Sequence, residues 1–144
     1  MNSDFKDAHE RHWEDAELLY GNQRWANADH LYGMAVECGL KHLMIAFGMP
    51  IGRTGNPSRQ DDWVHANGIW ARYEAYRSGH PQGTRFALPP GGNPFSNWTA
   101  SQRYAHRSNF NRARVNQHRQ GAQQVRALLQ RAVLEGLIKV EGLI

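Results

Sequence analysis

Between Trp25 and Phe47 the chain reads WANADHLYGMAVECGLKHLMIAF, and its apolar residues fall on nearly every side of a helical wheel. A helix with one apolar stripe can lie on a surface, but a helix that is apolar nearly all round has to be enclosed. Leu31, Met34, Ala35, Val36, Leu40, Leu43, Met44 and Ile45 therefore mark the central, most buried helix of an assembly of helices. Gly48 and Pro50 end it.

The rest of the chain supplies helices to surround it. Phe5, Ala8, His12, Ala16 and Leu19 recur at helical spacing up to Gly21, Trp13 and Tyr20 widen the stripe, and Ser3 is placed to cap a first turn that carries acids. A third helix is expected from about Asp61 to Arg77, with Trp63, Trp70 and Tyr73 on one side and Asp61 and Asp62 where the helix dipole favours acids. A fourth runs from Asn109 or Asn111 to Val140. Two Gly/Pro-rich segments, GMPIGRTGNPSRQ and GHPQGTRFALPPGGNPFSNW, separate these helices; the length of the second marks it as a functional lid or a mobile segment. No period-two alternation appears anywhere. The expected class is all-α, a four- to five-helix antiparallel bundle with a long C-terminal helix and a long Gly/Pro-rich loop before it, in one domain spanning residues 1–144.

Charge is unevenly spread along this framework. Residues 1–74 hold seven Lys/Arg against eleven Asp/Glu, whereas residues 75–134 hold nine arginines, no lysine and no acid. The densest part, RYAHRSNFNRARVNQHR from Arg103 to Arg119, packs five arginines and two histidines into seventeen positions. Such a block repels itself unless the acidic half, bound anions or a polyanionic partner offsets it. The guanidinium fork matches phosphate oxygens, which makes phosphate the natural partner.

Several chemistries are excluded. His9-Glu10-Arg11-His12 spaces its histidines at i and i+3 rather than the i and i+4 of a zincin helix, and such a pair reads as solvated surface. Neither Gly-rich loop has the Gly-Lys-Ser/Thr ending of a P-loop. Cys38, the only cysteine, lies on the buried helix and reads as packing, so neither a disulfide framework nor a thiolate metal site is available. No apolar run is long enough to span a bilayer, and no signal segment is evident. The expectation is a cytoplasmic protein with no metal, no cofactor and no membrane partner.

The fourth helix repays a closer reading. Val115, Ala122, Val125, Leu129, Ala132 and Val133 form one stripe with His118 in its middle. Arg112, Arg119 and Arg126, seven residues apart, line a border of that stripe, and Arg114 lies one turn before His118 on nearly the same face.

Residues 28–48, ADHLYGMAVECGLKHLMIAFG, carry the pattern A-x-E-x-x-L-K through Ala35, Glu37, Leu40 and Lys41. This segment resembles the second helix of HEPN domains. HWEDAELLYGNQRWANA resembles the helix and short turn before it, and Trp98 to Tyr104 (WTASQRY) resembles the segment ahead of the last long helix in some members. The resemblance implies a helical bundle that commonly dimerises and that serves as a metal-independent ribonuclease or a nucleotide-binding module in toxin–antitoxin and antiviral systems. It also implies a catalytic pair, an arginine followed after four to six residues by histidine. Arg112 and His118 enclose five residues and so fit, although Ala113 stands where active members usually have a polar residue.

In that reading His118 is the acid/base group for the 2′-OH proton, Arg112 steadies charge on the phosphoryl oxygens, and Glu37 and Lys41 orient the site or form an internal ion pair. Arg103, Tyr104, His106 and Arg107, with Arg114 and Arg119, form a nucleic-acid-binding set in which arginines hold phosphates and aromatics stack bases. Two functions remain open: a homodimeric RNA-binding protein that cleaves RNA, of toxin or defence type, or a non-catalytic module that binds a nucleotide or a cognate protein such as an antitoxin or a nucleotidyltransferase.

Overall fold

A computed structural model describes residues 1–139, and all its regular structure is helical. Helix α1 spans Phe5–Gly21, α2 Trp25–Ala46, α3 Ala66–Ser78 and α4 Arg112–Leu134. Helix α2 packs against all three of the others, as its all-round apolarity requires. Ala28, Tyr32, Ala35, Val36, Leu40, Leu43 and Met44 are buried along it.

Connection length follows direction. The three-residue link between α1 and α2 makes them an antiparallel hairpin. Helix α4 meets α2 through His118 with Asp29 and, further along both helices, through Val125 and Leu129 against Gly39. The two therefore run the same way. Helix α3 does likewise, with His65 at its start bonded to Glu37 and Tyr73 against Phe47 further on. Antiparallel pairing is thus realised by α1 against α2 and α4, and each Gly/Pro-rich segment is a return crossover along the bundle.

The second crossover is neither a lid nor a loose segment. Phe86, Phe95 and Trp98 are fully buried, and 3₁₀ turns at Gly83–Phe86, Ala100–Tyr104 and Arg107–Asn109 give it internal structure. Trp98 lies flat on α2 at Gly33, where a Cβ would come 2.1 Å from the indole. On α4 a Cβ at Gly121 would come 2.7 Å from Phe95. The two glycines let the crossover strap itself into the groove between α2 and α4.

Four local expectations need correction. Asp4, not Ser3, caps α1 by accepting from the Asp7 amide at 3.0 Å, while Ser3 bonds to Asn56. The third helix starts at Ala66, because Gln60–Asp62 forms a separate 3₁₀ turn whose Asp62 is buried against Arg72 (2.6 Å) and Tyr76 (2.6 Å). Trp63 consequently lies outside α3, 58% exposed, and donates to the Pro57 carbonyl. Helix α4 stops at Leu134, since Gly136 takes φ 80° just beyond the Glu135 cap, and the expected end at Val140 lies outside the described residues. Within its stripe Val133 is exposed and Leu129 half-buried, and Gly121 and Leu128 join the buried set.

Candidate functional site

Arginine and histidine from the basic block end up in two places with opposite physics. The first is interior. Asp29, in the second turn of α2, is fully buried and collects His118 Nδ1 at 2.5 Å, Gln102 Nε2 at 2.7 Å and Arg114 Nε at 3.3 Å. Arg114 also donates to the Asn97 carbonyl (2.7 Å) and to Gln102 Oε1 (3.1 Å). On its other edge His118 Nε2 bonds to the Asn97 side chain at 2.8 Å, and its face stacks on Phe95 at 4.8 Å. The imidazole has no exposed surface and neither ring nitrogen is free. This cluster ties three separate pieces of chain, α2, the crossover and α4, at a single carboxylate, as burying an aspartate demands.

Asp29 and Asn97 were not legible as members of this set. An acid inside an otherwise apolar helix was the available signal for Asp29, since such a group must find a cation.

A second group of arginines is also consumed internally. Arg119 bonds to both Glu17 carboxylate oxygens, at 2.8 and 3.0 Å, and stacks over Tyr20 at 4.6 Å. One heptad on, Arg126 reaches Glu10 at 3.1 Å and stacks over Trp13 at 4.8 Å. The ladder follows from matched spacing: Glu10 and Glu17, like Trp13 and Tyr20, are seven apart on α1, which runs antiparallel to α4. Arg119 holds the Glu17 carboxyl below its ordinary range. The arginine block is therefore not one continuous receptor, and Arg114 and Arg119 leave the nucleic-acid set proposed from sequence.

What remains lies at the other end of the ladder. Arg112 has no acid below it; its guanidinium sits over the Trp25 ring at 5.4 Å. Trp25 in turn lines a cleft of about 640 Å³ together with Gln23, Arg24, Asn27, His106 and Arg107. The 3₁₀ turn Ala100–Tyr104 runs into this cleft at Ala105, with Arg103 over the Tyr104 ring at 4.8 Å and both side chains exposed. Among the described residues Arg24, Arg103, Arg107 and Arg112 make no ion pair. Helix α2 opens here too, its first turn without a side-chain cap, so its amide dipoles add to the positive potential.

Arg112 and His118 are consequently not brought together within the chain: one lies outside on Trp25, the other inside on Asp29. Glu37 and Lys41 form the internal i, i+4 pair at 3.6 Å, and Glu37 also takes His65 at 2.8 Å. Lys41 packs over Phe5, so neither group turns toward His118. His9, expected on the surface, is buried and bonded to the Ala35 carbonyl at 2.7 Å, and burial holds its imidazole below the ordinary histidine range. Among the described residues no three His, Cys, Asp or Glu side chains are gathered to hold a metal ion, and no helix is long and apolar enough to cross a membrane. Burial pushes the Cys38 thiol up to about 12, which makes it a packing group.

No family model, no characterised protein and no solved structure matches the chain.

Proposed function

We propose that the protein is a HEPN-like helical module that binds single-stranded RNA in the cleft between the α1–α2 turn and the segment from Arg103 to Arg107, and that it does so without cutting. One observation carries this reading: among the described residues Arg24 and Arg107, both without carboxylate partners, line a cleft walled by Trp25, and Arg112, likewise unpaired, sits over that ring, while the other arginines of α4 from Arg114 to Arg126 are paired with acids. Arg24, Arg107 and Arg112 take backbone phosphates, with His106 beside them. Trp25 and the exposed Tyr104 offer faces on which bases stack.

The binding reading is favoured over the ribonuclease reading by the state of His118. A general base has to reach the 2′-OH, and this imidazole is enclosed by Asp29, Asn97 and Phe95. Cleavage by Arg112 and His118 would require the crossover strap to lift and Asp29 to be given up.

The test is incubation of purified protein with single-stranded and structured RNA in EDTA, beside Arg112→Ala and His118→Ala variants. Binding of single-stranded RNA that weakens in Arg112→Ala, with intact RNA recovered throughout, supports the proposal. Cleavage by the wild type that both substitutions abolish overturns it in favour of the ribonuclease, and binding of mononucleotides in preference to oligomers turns it into a nucleotide-binding module.

A further inference from the structure

A separate cavity lies at the opposite end of the Arg/Glu ladder, where the start of α1, the end of α2 and the end of α4 meet. It encloses about 430 Å³, within the usual range for small-molecule sites. Leu129, Val133, Leu134 and Ile138 form an apolar wall, and Leu134 stands 86% exposed at the rim. The polar groups are gathered elsewhere: Lys6, His9, Glu10, His42, Arg126 and Gln130.

Their pairing decides what the cavity suits. Glu10, the one acid in the lining, is taken by Arg126 at 3.1 Å. His9 is occupied on both nitrogens, by the Ala35 carbonyl and by Arg126. Lys6 makes no ion pair among the described residues, and His42 buries its Nε2 without a hydrogen-bond partner. Among the described residues the lining thus carries one cation without an acid, Lys6, beside the His42 imidazole, whose Nε2 is closed off from the cavity, and an aliphatic wall. Burial and the nearby Lys6 keep His42 below the ordinary histidine range, partly opposed by Asp4, so this imidazole is neutral at neutral pH and Lys6 supplies the charge.

The geometry points to a ligand site here for an aliphatic monocarboxylate of medium length, its chain along Leu129, Val133 and Ile138 and its carboxylate at Lys6. Charge complementarity selects the acid over the corresponding amine or alcohol. The site is independent of the RNA cleft and shares no residue with it.

The experiment is titration of the full chain with sodium decanoate below its micelle concentration, followed by calorimetry and by methyl NMR of the leucine, valine and isoleucine signals. Saturable binding with a Kd below about 1 mM and shifts confined to Leu129, Val133, Leu134 and Ile138 is the expected result. Val133→Trp, which fills the cavity from its exposed wall, is expected to weaken binding at least about tenfold, and the surface substitution Lys6→Met roughly three- to tenfold, each with unchanged circular dichroism. Absence of saturable binding, or decanol or decylamine binding as tightly as decanoate, overturns the assignment. So does a shift of the same methyl groups with protein concentration alone, which would give this face to a second copy of the chain.

Discussion

The interior cluster at Asp29 and the outer cleft at Trp25 draw on the same short stretch of sequence, yet their arginines have opposite fates. Arg114 and His118 are enclosed with a carboxylate and spend their hydrogen-bonding capacity on joining α2, the crossover and α4. Arg107 and Arg112, a few residues earlier, have an aromatic ring or open solvent where the acid would be. The difference is one of partners rather than of residue type. Basic charge along a chain says nothing about ligand binding until the acids that meet it in space are subtracted.

Breaking the interior half is expected to have the largest effect. Asp29→Asn leaves the half-buried Arg114 guanidinium without its counterion and the buried His118 Nδ1 without its carboxylate partner, and removing one partner from such a set costs about 3–5 kcal/mol. Urea unfolding followed by circular dichroism measures this, and a loss below about 1 kcal/mol would show the cluster to be incidental. Gly33→Ala comes next, because the new methyl collides with the Trp98 indole and displaces the strap over His118; about 1–3 kcal/mol of stability is expected to go, with greater proteolytic sensitivity in residues 87–99.

The ladder is the intermediate case and sharpens the contrast through pH. Glu17 has its folded-state ionisation pulled down by Arg119, so its stabilisation is complete above the ordinary glutamate range and fades as the pH falls through that range and below it. Glu17→Gln is expected to cost about 1 kcal/mol at pH 7 and to flatten this part of the acid limb. His9, His12, His30 and His42 are held below the ordinary histidine range chiefly by burial. Unfolding frees them to take up protons, so stability also declines as the pH drops below about 6.5. Substitution His9→Gln removes one proton from that slope.

Local periodicity was enough for most of the helices, because a helix wheel is local information: α2 as the enclosed helix, the α1–α2 break at Gly21 and a start of α4 at Asn109 or Asn111 follow from spacing, whereas the separate turn at Gln60–Asp62 read as the start of α3. The strap was not legible. Gly33 and Gly121 accept Trp98 and Phe95 across sequence gaps that no window spans, and a segment rich in Gly and Pro reads as loose until its aromatics find those glycines. The same limit governed the site. Seven-residue spacing of Arg112, Arg119 and Arg126 was visible, whereas the matching Glu10 and Glu17 on α1 acquired meaning only once α1 lay antiparallel to α4. His118 stood out as a histidine in an apolar stripe; that its partner is Asp29, and not an incoming phosphate, is a fact of tertiary structure.

The division of the arginines is tested most directly by the salt dependence of single-stranded RNA affinity in the wild type, in Arg24→Ala/Arg107→Ala and in Arg119→Ala/Arg126→Ala. Three phosphate contacts give a log–log slope of about −2 for the wild type; the cleft pair should lose about 1.4 of it at nearly unchanged stability, and the ladder pair should keep the slope while unfolding more easily. Equal loss of slope in both variants, or a slope that resides in Arg119 and Arg126, would contradict the division.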